Sequence, residues 1–181
     1  MEIYIEGSNI SHTGLSQVIS GITKEDPHFS YRTPSHIKQS LKRGYFSLAL
    51  EIDSSGSENL AGFAEGPKIR ENWRAVPSLY TFGPYRENGV ARGLVKNLLS
   101  LYPQDIIYLP TLETRLAETL KKDFGFIELG LRDMVIRFPK PLLKYLQYRF
   151  CNWQIFQNYH KIFDPYHYLI FKPERSGIKK D

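Results

Sequence analysis

The feature that most constrains this chain is a strand that runs into a helix through a short loop carrying glycine and proline. Residues 75–82 are mostly apolar and predict a strand, which Gly83-Pro84 ends because proline cannot continue a β-ladder. Leu94 and Leu98 then lie on one face of a helix predicted over residues 90–101. A helix start exposes backbone N–H groups and the positive end of the helix dipole, so this loop predicts a site for phosphate.

The loop residues themselves support that interpretation. Gly89 and Ala91 leave room for a ligand to approach the backbone, and Arg86 and Arg92 add positive charge beside it. The alternative is that Gly89 only forms a turn before an amphipathic helix. The loop lacks both the Gly-x-Gly-x-x-Gly dinucleotide fingerprint and a Gly-Lys-Ser/Thr sequence, which argues against a Rossmann or P-loop nucleotide site.

Hydrophobic periodicity along the rest of the chain predicts an α/β domain of the α+β kind. Further strands are predicted over residues 1–6, 45–52, 60–64, 105–109, 126–138 and 166–171. Further helices are predicted from Ser11 or Thr13 to residue 22, and over residues 34–44 and 112–124. Residues 65–74 are polar, contain Gly66-Pro67 and predict a loop.

Residues 139–165 carry aromatic side chains at helical spacing and predict an amphipathic helix, whole or broken. This segment could cover an acceptor cleft, form a homodimer, or pack on the core of its own domain. Its basic residues interleaved with aromatic ones also suit single-stranded nucleic acid. Nucleic acid is the least favoured partner, because aromatic residues at this spacing are first of all packing residues.

Cysteine content, hydropathy and charge indicate which compartment and which kinds of partner to expect. Cys151 is the only cysteine, so no internal disulfide can form, as is usual in a reducing compartment. No apolar run approaches the roughly 20 residues that span a bilayer, and the scattered histidines predict no metal site. The net charge of the chain is +5, and its excess lies in residues 132–181, where 10 Lys and Arg against 4 Asp and Glu give +6, whereas residues 1–131 carry −1. We therefore expect a cytoplasmic protein without metal or membrane, whose basic end is more often a solvated face than a binding patch.

Two motifs give the chain a resemblance to a known family. Arg86-x-x-Gly89-x-Ala91 is similar to the Arg/Gln-x-x-Gly-x-Gly/Ala pattern of the GCN5-related N-acetyltransferase (GNAT) superfamily. The helix predicted over residues 112–124 closes with Asp123-Phe124-Gly125-Phe126, which resembles the Leu-Gly-Phe ending of the family's second conserved helix. The resemblance implies the GNAT fold, a mixed, mostly antiparallel twisted sheet flanked by helices. It makes residues 1–181 a single GNAT-like domain in which residues 139–165 form an insertion or extension before the last strand.

The same resemblance implies acetyl-CoA as the acyl donor. In such proteins the strand before the loop pairs with the pantetheine arm, and the loop binds the pyrophosphate. The corresponding cofactor-binding positions in this chain are Leu79, Tyr80, Thr81, Arg86, Glu87, Asn88, Gly89, Val90, Ala91 and Arg92.

The catalytic positions depart from the family pattern. The family's usual tyrosine, which donates a proton to the leaving thiolate, is Lys121 here, and its asparagine is Thr114. Lys121 and Tyr108 are therefore the candidate acids, beside Tyr80. Glu113 is the first candidate for a general base, with Glu51 and Glu65 as alternatives.

The implied function is transfer of an acetyl group to an amine of a small molecule or a protein. The alternative is a non-catalytic module that keeps the fold and binds acyl-CoA or a protein partner.

Overall fold

A computed structural model of the chain describes residues 2–7, 12–25, 33–52, 54–56, 58–150 and 167–173. Its first sheet is antiparallel and has the strand order β1-β2-β3-β6. These strands are β1 (Glu2–Gly7), β2 (Phe46–Ile52), β3 (Glu58–Glu65) and β6 (Ser78–Thr81). The strands predicted over residues 45–52 and 60–64 correspond to β2 and β3, which follow each other in the chain and pair antiparallel.

The second sheet has the order β4-β5-β7-β9-β8. Its strands are β4 (Lys68–Arg70), β5 (Trp73–Ala75), β7 (Ile106–Thr111), β8 (Ile127–Leu129) and β9 (His167–Phe171). The β5–β7 pair is parallel and the other pairs are antiparallel. The predicted fold class, mixed and mostly antiparallel, is confirmed.

Helices cover both faces of the two sheets. They are α1 (His12–Glu25), α2 (Pro34–Lys42), α3 (Val90–Leu101), α4 (Thr114–Phe124), α5 (Leu131–Arg137) and α6 (Pro139–Phe150). On one face of the first sheet, Phe46 and Phe63 pack against α1 and α2. On the opposite face, α3 and α4 bury Leu94 and Leu120 in a core that both sheets share.

The strand predicted over residues 75–82 is divided between the two sheets. The chain leaves β5 at Ala75, and the N–H of Val76 donates to Tyr108 O at 2.8 Å. Pro77 follows and has no N–H to donate, so the ladder with β7 ends there. From Ser78 the chain pairs with β3 instead, and a gap opens between β6 and β7.

The closed end of this gap is held by Arg74. Its Nε donates to Asp105 Oδ2 at 2.6 Å and its Nη1 to Gly66 O at 2.8 Å. The guanidinium also lies 3.3 Å from the centroid of the Tyr102 ring. Because the Arg74 and Asp105 side chains are only 12% and 15% exposed, this cluster firmly joins β5 to the start of β7.

Two other sequence predictions are wrong. Residues 65–74, predicted as a loop, contain β4 and part of β5, which pair across a turn where Asn72 has a left-handed backbone (φ 55°). Residues 126–138, predicted as a strand, form the three-residue β8 and then α5. Gly130 caps α5 and Met134 is its buried residue, so one helical face replaces the expected alternation.

The predicted aromatic helix begins as α6, since Phe138 precedes Pro139 and leaves the helical conformation (φ −133°). Tyr145 of α6 is buried and its ring meets that of Tyr108 edge-on at 5.0 Å. The described start of the aromatic segment therefore packs on its own sheet. Residues 151–166 lie outside the described residues.

Candidate functional site

Strand β6 forms one wall of the gap. Leu79 packs on the side of α3, whereas the ring of Tyr80 stacks on Phe63 at 5.7 Å, on the side of α1 and α2. Among the described strands, β6 has a neighbour on one side only, which is β3. With side chains directed to the two faces of the sheet, β6 can offer its backbone toward β7.

The loop after β6 is a 3-10 turn (Gly83–Tyr85) followed by the start of α3. Gly89 is the N-cap, has a left-handed backbone (φ 75°), and makes no side-chain cap hydrogen bond. An added Cβ at Gly89 would meet nothing within 4 Å. Val90 is buried and anchors the helix, whereas residues 86–89 are exposed, so the first N–H groups of α3, which have no partner within the helix, lie next to an accessible loop. This arrangement fits a phosphate group.

Tyr85 ties that loop to the first sheet. Its hydroxyl donates a hydrogen bond to the Glu51 carboxylate on β2. This bond, together with desolvation and the nearby negative charge, raises the pKa of Tyr85 above its ordinary value. Glu51, one of the alternative bases, is therefore engaged with Tyr85 in the loop before α3.

Charged side chains surround the loop. Arg86 Nε donates to Thr81 O at 3.4 Å. Two further ion pairs connect the loop and α3 with α4. Glu87 Oε1 lies 3.2 Å from Arg115 Nη1, and Arg92 Nε lies 3.2 Å from Asp123 Oδ2.

Sequence reasoning named Glu87 and Arg92 but missed their partners on α4, Arg115 and Asp123. Arg115 and Asp123 lie on the same helix as the Gly125 motif, yet no local spacing indicates that they face the loop.

A second cluster lies along α4. Lys121 Nζ donates to Glu128 Oε2 at 2.7 Å, and the other carboxylate oxygen lies 2.5 Å from His167 Nδ1. His167 Nε2 lies 3.3 Å from the Thr114 hydroxyl. The hydrogen bonds from Lys121 and then His167 lower the pKa of Glu128 below its usual value. Thr114 and Lys121 are thus linked through β8 and β9, and sequence reasoning missed both linking residues.

The three predicted catalytic residues lie in different environments. Glu113 is the exposed N-cap of α4, and its backbone N–H donates to Thr111 Oγ1 at 3.1 Å. Lys121 lies two turns along the same helix. Tyr108 is buried on the face of the second sheet that points away from α4, in a cluster with Tyr145. The structure does not bring the three together, and their roles stay predictions.

Glu65, an alternative base, is fully buried and pairs in register with Ser78, where β6 begins. In the described part of the chain, no group of three or more His, Cys, Asp and Glu side chains could hold a metal ion. No helix of the described residues has the length and apolar character needed to cross a membrane.

Comparison with known proteins gives matches at the level of structure. No family model and no curated protein sequence matches the chain. The Mycobacterium tuberculosis protein Rv2747, solved in complex with CoA, superposes with a TM-score of 0.67 at 12% identity, covering 93% of this chain and 98% of that one.

Two other solved structures are similar. N-acetylglutamate synthase from Neisseria gonorrhoeae, complexed with coenzyme A and N-acetyl-glutamate, superposes with a TM-score of 0.63 at 12% identity, and the match covers 97% of this chain. This chain spans only 36% of the length of that synthase. The NatC complex bound to Gag peptide and CoA superposes with a TM-score of 0.56 at 22% identity, covering 72% of this chain and 87% of that one. At these identities the likeness establishes the fold.

Proposed function

Because this chain has the GNAT acetyltransferase fold, we propose that it binds acetyl-CoA in the gap between β6 and β7 and transfers the acetyl group to an amine. The observation that carries the proposal is that β6, which borders the gap, leads through a short loop into the open start of α3 at Gly89. The gap suits a flexible arm with amide groups, and the start of α3 suits a pyrophosphate.

The two ends of the ligand call for different residues. The backbone of Leu79 and Thr81 would pair with the pantetheine amides, as one strand pairs with another. The N–H groups of residues 89–92 would bind the pyrophosphate, with the Arg86 guanidinium adding charge-assisted hydrogen bonds. Acetyl-CoA supplies the thioester that the amine attacks.

The chain's own residues would then move the protons. Glu113, exposed at the N-cap of α4, is the proposed base that takes the proton from the attacking amine. Lys121 Nζ is the proposed donor to the thiolate, and Glu128 positions its ammonium group by the 2.7 Å hydrogen bond. Tyr108 is the alternative donor, and its use requires the hydroxyl to be reached from the gap at β7.

The acceptor class is an amine of a small molecule or of a protein. Solved structures of this fold include one with N-acetyl-glutamate and one with Gag peptide, which supports both kinds of acceptor. A non-catalytic acyl-CoA-binding module is the second candidate. The engagement of Lys121 with Glu128 and the burial of Tyr108 favour it, because neither group is held ready in the gap.

Calorimetry with acetyl-CoA, followed by a thiol-release assay over a panel of amines, tests the proposal. We expect saturable binding and thiol release with at least one amine. Binding without turnover on any amine would favour the second candidate. Absence of binding at millimolar ligand would contradict both.

The loop assignment has a sharper test in Gly89→Glu, which places bulk and negative charge where the pyrophosphate would lie. We expect this variant to lose measurable affinity for acetyl-CoA. Gly56→Glu is the matched control, since Gly56 also has a left-handed backbone (φ 81°) and open space around it, but lies in the turn between β2 and β3. Equal affinities in the two folded variants would refute the assignment.

A further inference from the structure

One exposed ion pair joins the loop of the proposed cofactor site to the start of α4. Glu87 belongs to the loop before α3, and Arg115 is the second residue of α4. Their Oε1 and Nη1 atoms lie 3.2 Å apart. A ligand that runs from the start of α3 toward α4 would meet this pair.

The pair is easily broken. The Arg115 and Glu87 side chains are 84% and 76% exposed, and ion pairs so exposed to water contribute little to stability. The neighbouring pair between Arg92 and Asp123 is less accessible at its acidic end, where the aspartate side chain is 22% exposed. Arg115 is therefore the arginine of these two pairs that a ligand can most readily take from its partner.

The backbone at Glu87 is also unusual. Its φ of 69° lies in the left-handed region, which a glutamate rarely adopts. A carboxylate at this point carries negative charge into a loop whose N–H groups and arginines favour an anion. The arrangement is explained if the glutamate occupies an anion position of its own, beside Arg115.

We propose that Arg115 binds the 3′-phosphate of coenzyme A and that this phosphate displaces Glu87 from it. The inference rests on the proposed function and deepens it. Coenzyme A carries a pyrophosphate, which the start of α3 would hold, and a separate phosphomonoester on its ribose. A phosphomonoester carries about −2 charge near neutral pH and three acceptor oxygens, against one charge and two oxygens for a carboxylate. Arginine, with its planar fork of donors, binds such a group more strongly.

The test compares binding of coenzyme A with binding of 3′-dephospho-coenzyme A by calorimetry. We expect the wild-type protein to bind coenzyme A about tenfold more tightly. Arg115→Gln should abolish that preference and leave the affinity for the dephospho ligand within about twofold. Arg137→Gln is the control, since this exposed arginine on α5 pairs with Asp133 and lies outside the loop. It should retain the full preference.

Glu87→Asn tests the exchange itself. Asparagine tolerates a left-handed backbone and removes the charge without adding strain. We expect this variant to bind coenzyme A several-fold more tightly, with a smaller gain for the dephospho ligand. In the Arg115→Gln background the two gains should become equal.

The outcomes separate the inference from the function on which it rests. If wild-type protein binds both ligands equally well, or if Arg115→Gln weakens both equally, the phosphate assignment is wrong and the cofactor site stands. If wild-type protein binds neither ligand at millimolar concentration, the proposed function fails and the inference with it.

Discussion

Replacing Gly62 on β3 with alanine would act on the core where β3 contacts β6 and the start of α3. A Cβ at this position would lie 2.6 Å from the backbone oxygen of Tyr80 on β6 and 2.9 Å from Val90 Cγ1 on α3. Ordinary contact begins at 3.4 Å, so the β6 backbone would have to move by 0.8 Å. A shift of that size stretches a typical 2.9 Å strand hydrogen bond to about 3.7 Å, where it is lost.

The magnitude follows from those two effects. Overpacking in a close-packed core costs about 1–3 kcal/mol, and each lost hydrogen bond about 1 kcal/mol. We therefore expect Gly62→Ala to lower the free energy of unfolding by about 2–4 kcal/mol, and Tm by about 5–12 °C. Because the displaced strand is β6, affinity for acetyl-CoA should fall as well.

Urea unfolding followed by circular dichroism measures the stability, and calorimetry measures the affinity. Gly21→Ala is the matched control, since Gly21 lies in α1 and an added Cβ there meets nothing within 4 Å. That substitution should stabilise the protein by about 0.5–1 kcal/mol through helix propensity. A Gly62→Ala protein within about 0.5 kcal/mol of wild type would refute the packing argument.

Two further predictions concern the hydrogen bonds around the site. Tyr85→Phe keeps the ring but removes the bond to Glu51, so calorimetry should show several-fold weaker acetyl-CoA binding, and unchanged affinity would contradict a positioning role for Tyr85. The second concerns Glu128, whose pKa is lowered by its hydrogen bonds from Lys121 and His167. The ionised carboxylate therefore stabilises the folded protein fully above the ordinary pKa of 4.5. This stabilisation is lost as the pH falls through the lower pKa of the folded state. The difference in unfolding free energy between wild type and Glu128→Gln should therefore shrink as the pH is lowered below 4.5 in urea titrations, and a difference that stays constant with pH would show that the carboxylate is not stabilised by these partners.

Elements with strong local signals could be predicted from the sequence. Helix α3 has the predicted bounds, because an amphipathic face and the Gly89 start both depend on neighbouring residues. Helix α4 likewise ends at Gly125, whose left-handed backbone (φ 69°) is a local property. The loop before α3 could be located for the same reason, since its residues are nearly contiguous in the sequence, and its role as a cofactor loop stays a proposal.

Features that depend on distant residues could not be predicted. An apolar run around Pro77 indicates extended chain but does not show that its two halves join different sheets. The apolar stretch at Met134 suits a strand as well as a helix, and only burial against α6 and the second sheet distinguishes them. Arg115 and Glu128 meet residues 28 and 39 positions away, at Glu87 and His167, and no spacing rule covers such pairs.

The gap beside β6 also bears on how such a protein can be recognised. A ligand held by main-chain groups places few demands on side-chain identity, so the residues around it can change as long as they pack. The few fixed requirements are conformational, such as the left-handed backbone at Gly89 and the lack of room for a Cβ at Gly62. The proposed site can therefore persist at low sequence identity, such as the 12% at which a solved structure superposes over 93% of this chain. A site that binds its ligand through the backbone is preserved in the fold, and side-chain identity carries little information about it.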